Sequence, residues 1–545
     1  MNKSLIISLL LTSFSFGQQT VGLFQYTTDA FPGYTLFAPS GSDNTWLIDN
    51  CGDAQYIWQS SYRPGASVDL LDDGTLIRAC RFDNESQISA GGAGGRIEAI
   101  QLDQQIAWSF EYSNDSVRLH HDFELMDNGN ILMIAWDAKT QQQVIDAGRE
   151  PIITTANGLW PDHVIEYDPV NDEIVWRWNA WDHLVQEFDA TKPNYGIVAD
   201  HPELFNLNFD RGNGQPDWQH FNSIAYNEEL DQIVLSSPFW NEVYIIDHST
   251  SSLEAASHSG GEYGKGGDIL WRWGNPEMYG AGDSTNQQLF FQHDAHWIPS
   301  GYRHENKLIL YNNGQGRSPE EYSTVDIIAP LILSDGNYGM DASGNYFPDF
   351  PDYIYTAPSE TTFFSHIVSS ADMLPNGNII IDEGSKGHFF EVDSSGVLVW
   401  DYVNPIVQNN NILAQEEPVN GQQALVFRAR RIAHDYPGVM VLPMTNTGPI
   451  ELQPYQSNCL TQLSLSKKEI KSLRVYPSPT SGALFVQNVD ASMDYSICNS
   501  LGQVIISGTF NSHSINVNKL DSGTYFLMIL DTNTGVNSTA SFVKN

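Results

Sequence analysis

Three histidines recur at one position of a repeated sequence pattern. Counting eight residues back from the turn glycine of a hairpin signal gives His121 from Gly129 and His293 from Gly301, and the same count from Glu228 gives His220. Imidazoles that converge can ligate a transition metal, here with Asp122 and Asp294. They can also act as acid, base or nucleophile, or bind an anion when protonated. A histidine at a strand start is otherwise a hydrogen-bonded structural residue; the shared position sets these three apart. In a further copy the count from Gly377 lands on Ser369, with His366 three residues earlier, so a bulge is needed to aim His366 inward. A cation is expected from the loop Asn312-Asn313-Gly314-Gln315-Gly316-Arg317, where a guanidinium suits a sulfate, phosphate or carboxylate oxygen. The alternative for Arg317 is a solvated loop position.

The elements that must position these residues are short strands. Leu70-Leu71-Asp72-Asp73-Gly74-Thr75-Leu76-Ile77, Leu125 to Leu132 and Met373 to Ile380 share one signal: an apolar residue, a polar pair, Gly, then alternating aliphatic residues. Asp-Gly and Asn-Gly supply the positive φ of tight hairpins. Each such hairpin precedes a second one whose last strand carries a ring: Trp58, Trp108, Trp176, Trp271, Tyr355 and Trp400. Two hairpins per unit make a four-stranded blade, and six rings give an all-β chain with a six-bladed β-propeller over 20–450. Unequal spacing implies inserts near 138–160, 180–217 and 248–268. The first unit lacks its inner hairpin and the last has an extra pair near Ala424 to Phe427, so these halves would close the ring. The innermost strands line the channel, where polar residues at one phase converge. A β-sandwich array or a β-helix fits units of this length less well.

Composition narrows the function classes. The chain has 545 residues, and 26 Lys+Arg against 66 Asp+Glu give a net charge of −40, which repels nucleic-acid phosphate and anionic lipid. A local cationic pocket remains possible within that shell. Lys3, the apolar run Leu5 to Leu11 and the small residues to Gly17 read as a secretory signal peptide over 1–17. No stretch reaches the roughly 20 apolar residues of a membrane span. Four cysteines, Cys51, Cys80, Cys459 and Cys498, are too few for a disulfide scaffold. Export would permit a Cys51–Cys80 bridge between two predicted strands, although sequence does not place their Cα atoms within reach.

Nucleotide-loop, His-Glu-x-x-His and Gly-x-Ser-x-Gly motifs are absent, and Gly91-Gly92-Ala93-Gly94-Gly95 precedes a strand, as a blade turn does. No cofactor is indicated. His120-His121-Asp122, Asp217-Trp218-Gln219-His220-Phe221-Asn222-Ser223-Ile224, Gly267 to Pro276, Gln292-His293-Asp294-Ala295-His296-Trp297, Tyr311 to Arg317, and Ser365-His366 with Leu374 to Asn378 resemble the arylsulfate sulfotransferase family, secreted six-bladed propellers. The resemblance spans about Gly33 to Pro437. It implies sulfo transfer from an aryl sulfate to a phenolic acceptor, without a nucleotide donor, through a sulfated histidine. By that resemblance His220 and His293 bind sulfate oxygens, Arg317 is the guanidinium partner and His366 the nucleophile. His121, Asn222 and Asn313 are the expected substrate-binding residues, with His121 in a subgroup pattern.

Beyond a Gln/Ser/Thr-rich linker at 451–470, the segments Val475 to Gly482, Ile497 to Gln503 and Leu520 to Tyr525 resemble the C-terminal sorting domain of type IX secretion cargo. A β-sandwich over 471–545 is expected. The resemblance implies the type IX secretion machinery as partner and export from a Gram-negative cell, through the periplasm, to the surface or medium. Two other readings stay open: a metal-dependent propeller hydrolase or lyase, and a non-catalytic binder of sulfated glycans.

Overall fold

The structure, a computed structural model, describes residues 18–84, 86–455, 459, 474–487, 494–499, 503–510, 514–530 and 537–545. The expected signal peptide and most of the expected linker lie outside these residues. The fold is all-β, with about 42% strand and 7% helix. Two compact units divide at Leu460 and Thr461.

The first unit is a succession of antiparallel meanders. Its hairpin turns follow the local chemistry: Gly74, Gly129 and Gly377 take φ of +82°, +89° and +84°. Each donates its N–H to the residue three back, Leu71, Met126 or Leu374, at 2.8–2.9 Å. That is a tight turn closed by a left-handed glycine, and it fixes the register of the strands on either side. Ser223–Asn227 and His293–Trp297 each begin a four-stranded sheet; Pro64–Leu70 and Val117–Leu125 each begin four consecutive strands that join side by side, Ala66 opposite His121, into one eight-stranded sheet; Ser370–Met373 begins four strands to which Gly22–Tyr26 adds a fifth. In a further sheet Val426–Ala433 takes the first place and pairs with Gly33–Pro39, from Gly33↔Ala433 to Pro39↔Val426. A strand near the end of the first unit and one near its start therefore share one sheet. The rings Trp58, Trp108, Trp176, Trp271, Tyr355 and Trp400 all lie on the last of these four strands.

Neighbouring sheets pack face to face through alternating apolar side chains. Leu132, Val164 and Trp178 meet Ile224, Leu235 and Tyr244 of the next sheet. Val234, Val243 and Trp271 in turn meet Leu308, Leu310 and Ile328. Burial of such side chains contributes about 1.5–3 kcal/mol each, enough to fix the sheets against one another and hold their first strands at a defined height.

The cysteines pair otherwise than expected. Cys51 bonds Cys459, with Cα atoms 5.0 Å apart. Cys80 is free and wholly buried, and Arg78 Nη1 donates to its sulfur at 3.2 Å. Cys51 lies instead in the turn after Asn44–Asp49, where the end of the first unit reaches it. Burial pushes the Cys80 thiol up to about 12.

The second unit has two sheets. Arg474–Tyr476, Ala483–Gln487 and Ser514–Asn516 form one; Asp494–Asn499, Val504–Thr509, Gly523–Leu530 and Asn537–Lys544 form the other. They bury Leu484, Val486, Ile497, Ile515, Leu527 and Phe542 together.

Candidate active site

His121, His220 and His293 line one cavity of about 770 Å³. His121 and His293 sit where the first strand of a meander departs from regular pairing, and His220 lies just before the strand Ser223–Asn227. The register shifts between Met133 and Ala135 opposite His121, and between His293 and His296. His121, His220, Asp294 and Ser369 have φ of +52°, +59°, +61° and +90°. Left-handed backbone at such residues costs on the order of 1–3 kcal/mol each and persists where the surroundings enforce it, as at binding sites. Bulges re-aim side chains, as at His121 and His293, while at His220 the left-handed backbone before the strand has that effect.

Each imidazole is held differently. His220 Nδ1 donates to Asp217 Oδ2 at 2.6 Å, and Trp136 Nε1 donates to the other oxygen of Asp217 at 3.0 Å. This pair fixes the His220 tautomer and leaves Nε2 as the lone-pair nitrogen. Phe239 stacks on the same ring at 4.2 Å. His293 Nδ1 donates to Asn313 Oδ1 at 2.8 Å and approaches Phe291 O at 3.0 Å, while its Nε2 accepts the Val368 N–H at 3.2 Å. Both His293 nitrogens are thus occupied. Burial drives its pKa down to about 3, against the opposing pull of Asn313. His121 Nδ1 lies 2.9 Å from His120 Nδ1, and its ring meets that of His220 edge-on with centroids 4.6 Å apart. Burial first, then the neighbouring His220, His120 and His293 rings and the Arg428 guanidinium, hold His121 well below the usual histidine range.

The glycine run at 91–95 is part of this wall. Gly91, Gly92 and Ala93 line the cavity, and the His121 N–H donates to Gly92 O at 2.8 Å. A Cβ on Gly92 would lie 2.1 Å from Cε1 and Nε2 of His121, so only glycine lets the ring sit there.

Cations come from residues the sequence did not single out. Arg63, Arg81 and Arg211 line the cavity, with the Arg211 guanidinium 3.0 Å above the Phe239 ring centre. Burial lowers Arg211 to about 10, which still leaves it charged at neutral pH. Phe291, Phe427 and Trp160 supply apolar walls. A cationic, aromatic-walled cavity in a chain of net charge −40 suits an anionic aromatic ligand.

Asp122 and Asp294 do not face the imidazoles. Arg428 Nη1 donates to Asp122 Oδ1 at 2.9 Å, and its Nη2 bonds Asp122 Oδ2. Arg428 Nε lies 2.6 Å from Asp294 Oδ1, close but off the N–H direction. Both carboxylates also tie sheets together, accepting the Ile224 and Ala371 N–H groups at 3.0 and 3.2 Å. Among the described residues, His183 with His258 and Asp268, and Asp294 with His296 and Asp372, bring three potential metal-ligand atoms within 4.8 Å; neither group includes a cavity histidine.

Other expected site residues lie elsewhere. His366 is half-buried, and its Nε2 accepts from Gln422 Nε2 at 2.9 Å; its neighbours Ile367 and Val368 line the cavity in its place. Arg317 borders a separate surface pocket with Gln287 and Gln288. It lies over Tyr322 at 4.3 Å and bonds Thr324 Oγ1 at 3.3 Å. Asn313 does not line the cavity but holds His293, donating also to Ser365 O and Val368 O at 2.7 and 2.9 Å. Asn222 is buried and donates to Gln292 O at 2.7 Å. Sequence reasoning missed Asp217, although it lies one turn-length before His220 in the quoted segment. It also passed over the pairing of His120 with His121. Arg211 sits in an insert with no signal of its own.

Residues 27–411 match the family Arylsulfotransferase (ASST), and residues 474–545 match the secretion system C-terminal sorting domain. No curated protein matches the chain. Among solved structures, a Bacteroides caccae protein of unknown function is 10% identical, covering 68% of this chain and 93% of its own, with a TM-score of 0.37. A putative 6-phosphogluconolactonase from Bacteroides fragilis NCTC 9343 is 12% identical over 69% of this chain and 97% of its own, with a TM-score of 0.34. A virginiamycin B lyase from Staphylococcus aureus is 9% identical over 70% and 88%, with a TM-score of 0.31. Likeness at that level carries no argument about function. Among the described residues no helix is long and apolar enough to cross a membrane. The sorting domain points to the type IX secretion machinery and to secretion or the cell surface. By its match over most of the first unit, the chain belongs to the arylsulfotransferase family.

Proposed function

We propose that residues 20–450 form a six-bladed β-propeller that moves a sulfo group from an aryl sulfate to a phenol, without a nucleotide donor, through a sulfated histidine. In this reading 451–470 is a linker and 471–545 a removable export domain. The observation that carries the chemistry is the His220–Asp217 pair in a cavity shared with two further imidazoles and the half-buried Arg211 guanidinium.

His220 is the nucleophile. Its neutral Nε2 attacks sulfur, the N–S bond forms, and the aryl O–S bond breaks to release a phenolate. The sulfated ring keeps its Nδ1–H and becomes cationic, which the Asp217 carboxylate stabilises. Arg211, on the far face of Phe239, supports charge on the sulfo oxygens and the leaving phenolate. His293, with both nitrogens occupied, positions Val368 and the cavity wall. An acceptor phenolate then attacks sulfur and restores His220. Aryl esters suit the scheme because a phenolate leaves far more readily than an alkoxide.

The test is nitrophenolate release from 4-nitrophenyl sulfate with and without phenol, in metal-stripped protein. Phenol-dependent release, lost in His220→Ala and retained in His366→Ala and Arg317→Ala, is the expected result. Loss in His366→Ala with activity kept in His220→Ala would return the nucleophile to His366. Release only after metal addition would favour a metallohydrolase, and binding of sulfated glycans without any turnover a binding module.

A further inference from the structure

The cavity has a proton problem. The leaving phenolate needs a proton and the acceptor phenol must lose one, yet burial, with the imidazoles and the Arg428 guanidinium around it, keeps His121 from holding a positive charge. Behind His121 lies a second buried ring, His120, stacked on Trp136 at 4.0 Å. Its Nδ1 is 2.9 Å from His121 Nδ1, and its Nε2 is 2.7 Å from Asp162 Oδ1. The last contact is close but bent away from the N–H direction, as catalytic hydrogen bonds often are before substrate binds. His120 and Asp162 are 2% and 0% exposed, so solvent does not share this proton path. The carboxyl belongs to Asp162–Asp168, the third strand of the sheet that His121 begins.

We propose that Asp162, His120 and His121 form a relay that stores one proton between the two half-reactions. The inference rests on the sulfo-transfer reading above. In the first half, His121 gives its Nε2 proton to the leaving phenolate. His120 passes its Nδ1 proton to His121 Nδ1, and Asp162 passes its carboxyl proton to His120 Nε2. Both imidazoles end neutral in the opposite tautomer, Asp162 ends as a carboxylate, and the phenol departs whole. In the second half the acceptor phenol gives its proton to His121 Nε2, the two tautomers revert, and Asp162 is again a carboxylic acid. Charge balances throughout: the sulfate ester's negative charge passes to Asp162 while the sulfo group is on His220, and returns to the product ester. Burial, with Asp217 beside it, raises the Asp162 carboxyl well above the usual range, which suits a group that must hold a proton for one half-cycle. His121 is the catalytic residue; His120 and Asp162 act through it.

The experiment separates the half-reactions in the full-length protein by rapid mixing. In Asp162→Asn, the first burst of nitrophenolate from 4-nitrophenyl sulfate should stay within a few-fold of wild type, because that leaving group departs without a proton. The burst from 4-methylphenyl sulfate and steady turnover with phenol should both fall by about 10²-fold. With pentafluorophenol, already ionised at the assay pH, the ratio of wild-type to variant turnover should return towards one. His120→Gln, which can hydrogen-bond but cannot pass a proton on, should show the same split and serves if Asp162→Asn does not fold. Equal loss for all donors and acceptors in a folded variant, or no loss with phenol, would overturn the relay. Wild-type turnover without any burst would instead overturn the covalent reading beneath it.

Discussion

Replacing Gly92 by alanine tests whether the site is built as described. The new Cβ would stand 2.1 Å from Cε1 and Nε2 of His121 and 2.4 Å from Cδ2. Carbon contacts settle at about 3.5–4 Å, so the ring or the loop must retreat by roughly 1.5 Å. Gly92 also has φ of +69°, a backbone that costs an L-residue about 1–2 kcal/mol. Overpacking adds about 1–3 kcal/mol, so a thermal melt should show a drop of several degrees. A 1 Å misplacement costs about 10²-fold in rate, and kcat for phenol-dependent nitrophenolate release should fall at least that far. Gly91→Ala is the control: its Cβ would meet Cε1 and Nε2 of His220 at 3.8 Å, an ordinary contact. It should keep activity within a few-fold. Wild-type activity in Gly92→Ala, or equal damage from both substitutions, would refute this account of the loop.

Asp217→Asn should lower kcat by about 10²–10⁴-fold with little change in KM, since the amide no longer fixes the His220 tautomer; steady-state kinetics with unchanged kcat would contradict it. Cys51→Ser should destabilise the first unit by about 2–5 kcal/mol, because the bond spans 408 residues, measured as a shift in the denaturant midpoint. Cys80, buried and with its thiol pushed up to about 12, should resist alkylation until the protein unfolds. His388 shifts in the opposite direction to His121 and His293: burial opposes its charge, but hydrogen bonds to Asp401 and Glu383 outweigh it and raise it to about 9. Its contribution to stability is therefore full below about pH 6.5 and is lost as pH rises through about 9. Melting temperatures should fall across that window in wild type and less in His388→Gln.

Counting back from turn glycines located the height of the cavity along each first strand. His121, His220 and Ser369 all fall there and share a left-handed backbone. That position is readable because a hairpin turn at a fixed distance marks it, Asn-Gly at Gly129 and Gly377 and other turns at Glu228 and Gly301. Arg317 is singled out by its Gly-rich loop and His366 by its place three residues before Ser369, their roles coming from the resemblance, and in the structure their side chains settle against Tyr322 and Gln422. The partners of the imidazoles could not be read in the same way. Asp162 is on a different strand from His120, and Arg428 reaches Asp122 across 306 residues. Such contacts follow from closure of the sheets, which no local pattern records. The glycine run at 91–95 looked like a turn because its purpose is steric and appears only when the His121 ring lies against it. Cys51 finds Cys459 for a similar reason: the end of the first unit returns to its beginning.

The central claim is that sulfur passes through His220. Protein exposed to 4-nitrophenyl sulfate without acceptor, quenched in alkali and digested, should carry one sulfo group on the peptide containing His220, and should lose it when phenol is added before quenching. A sulfo group on the His366 peptide, or none on any histidine of a preparation that turns over, would contradict it.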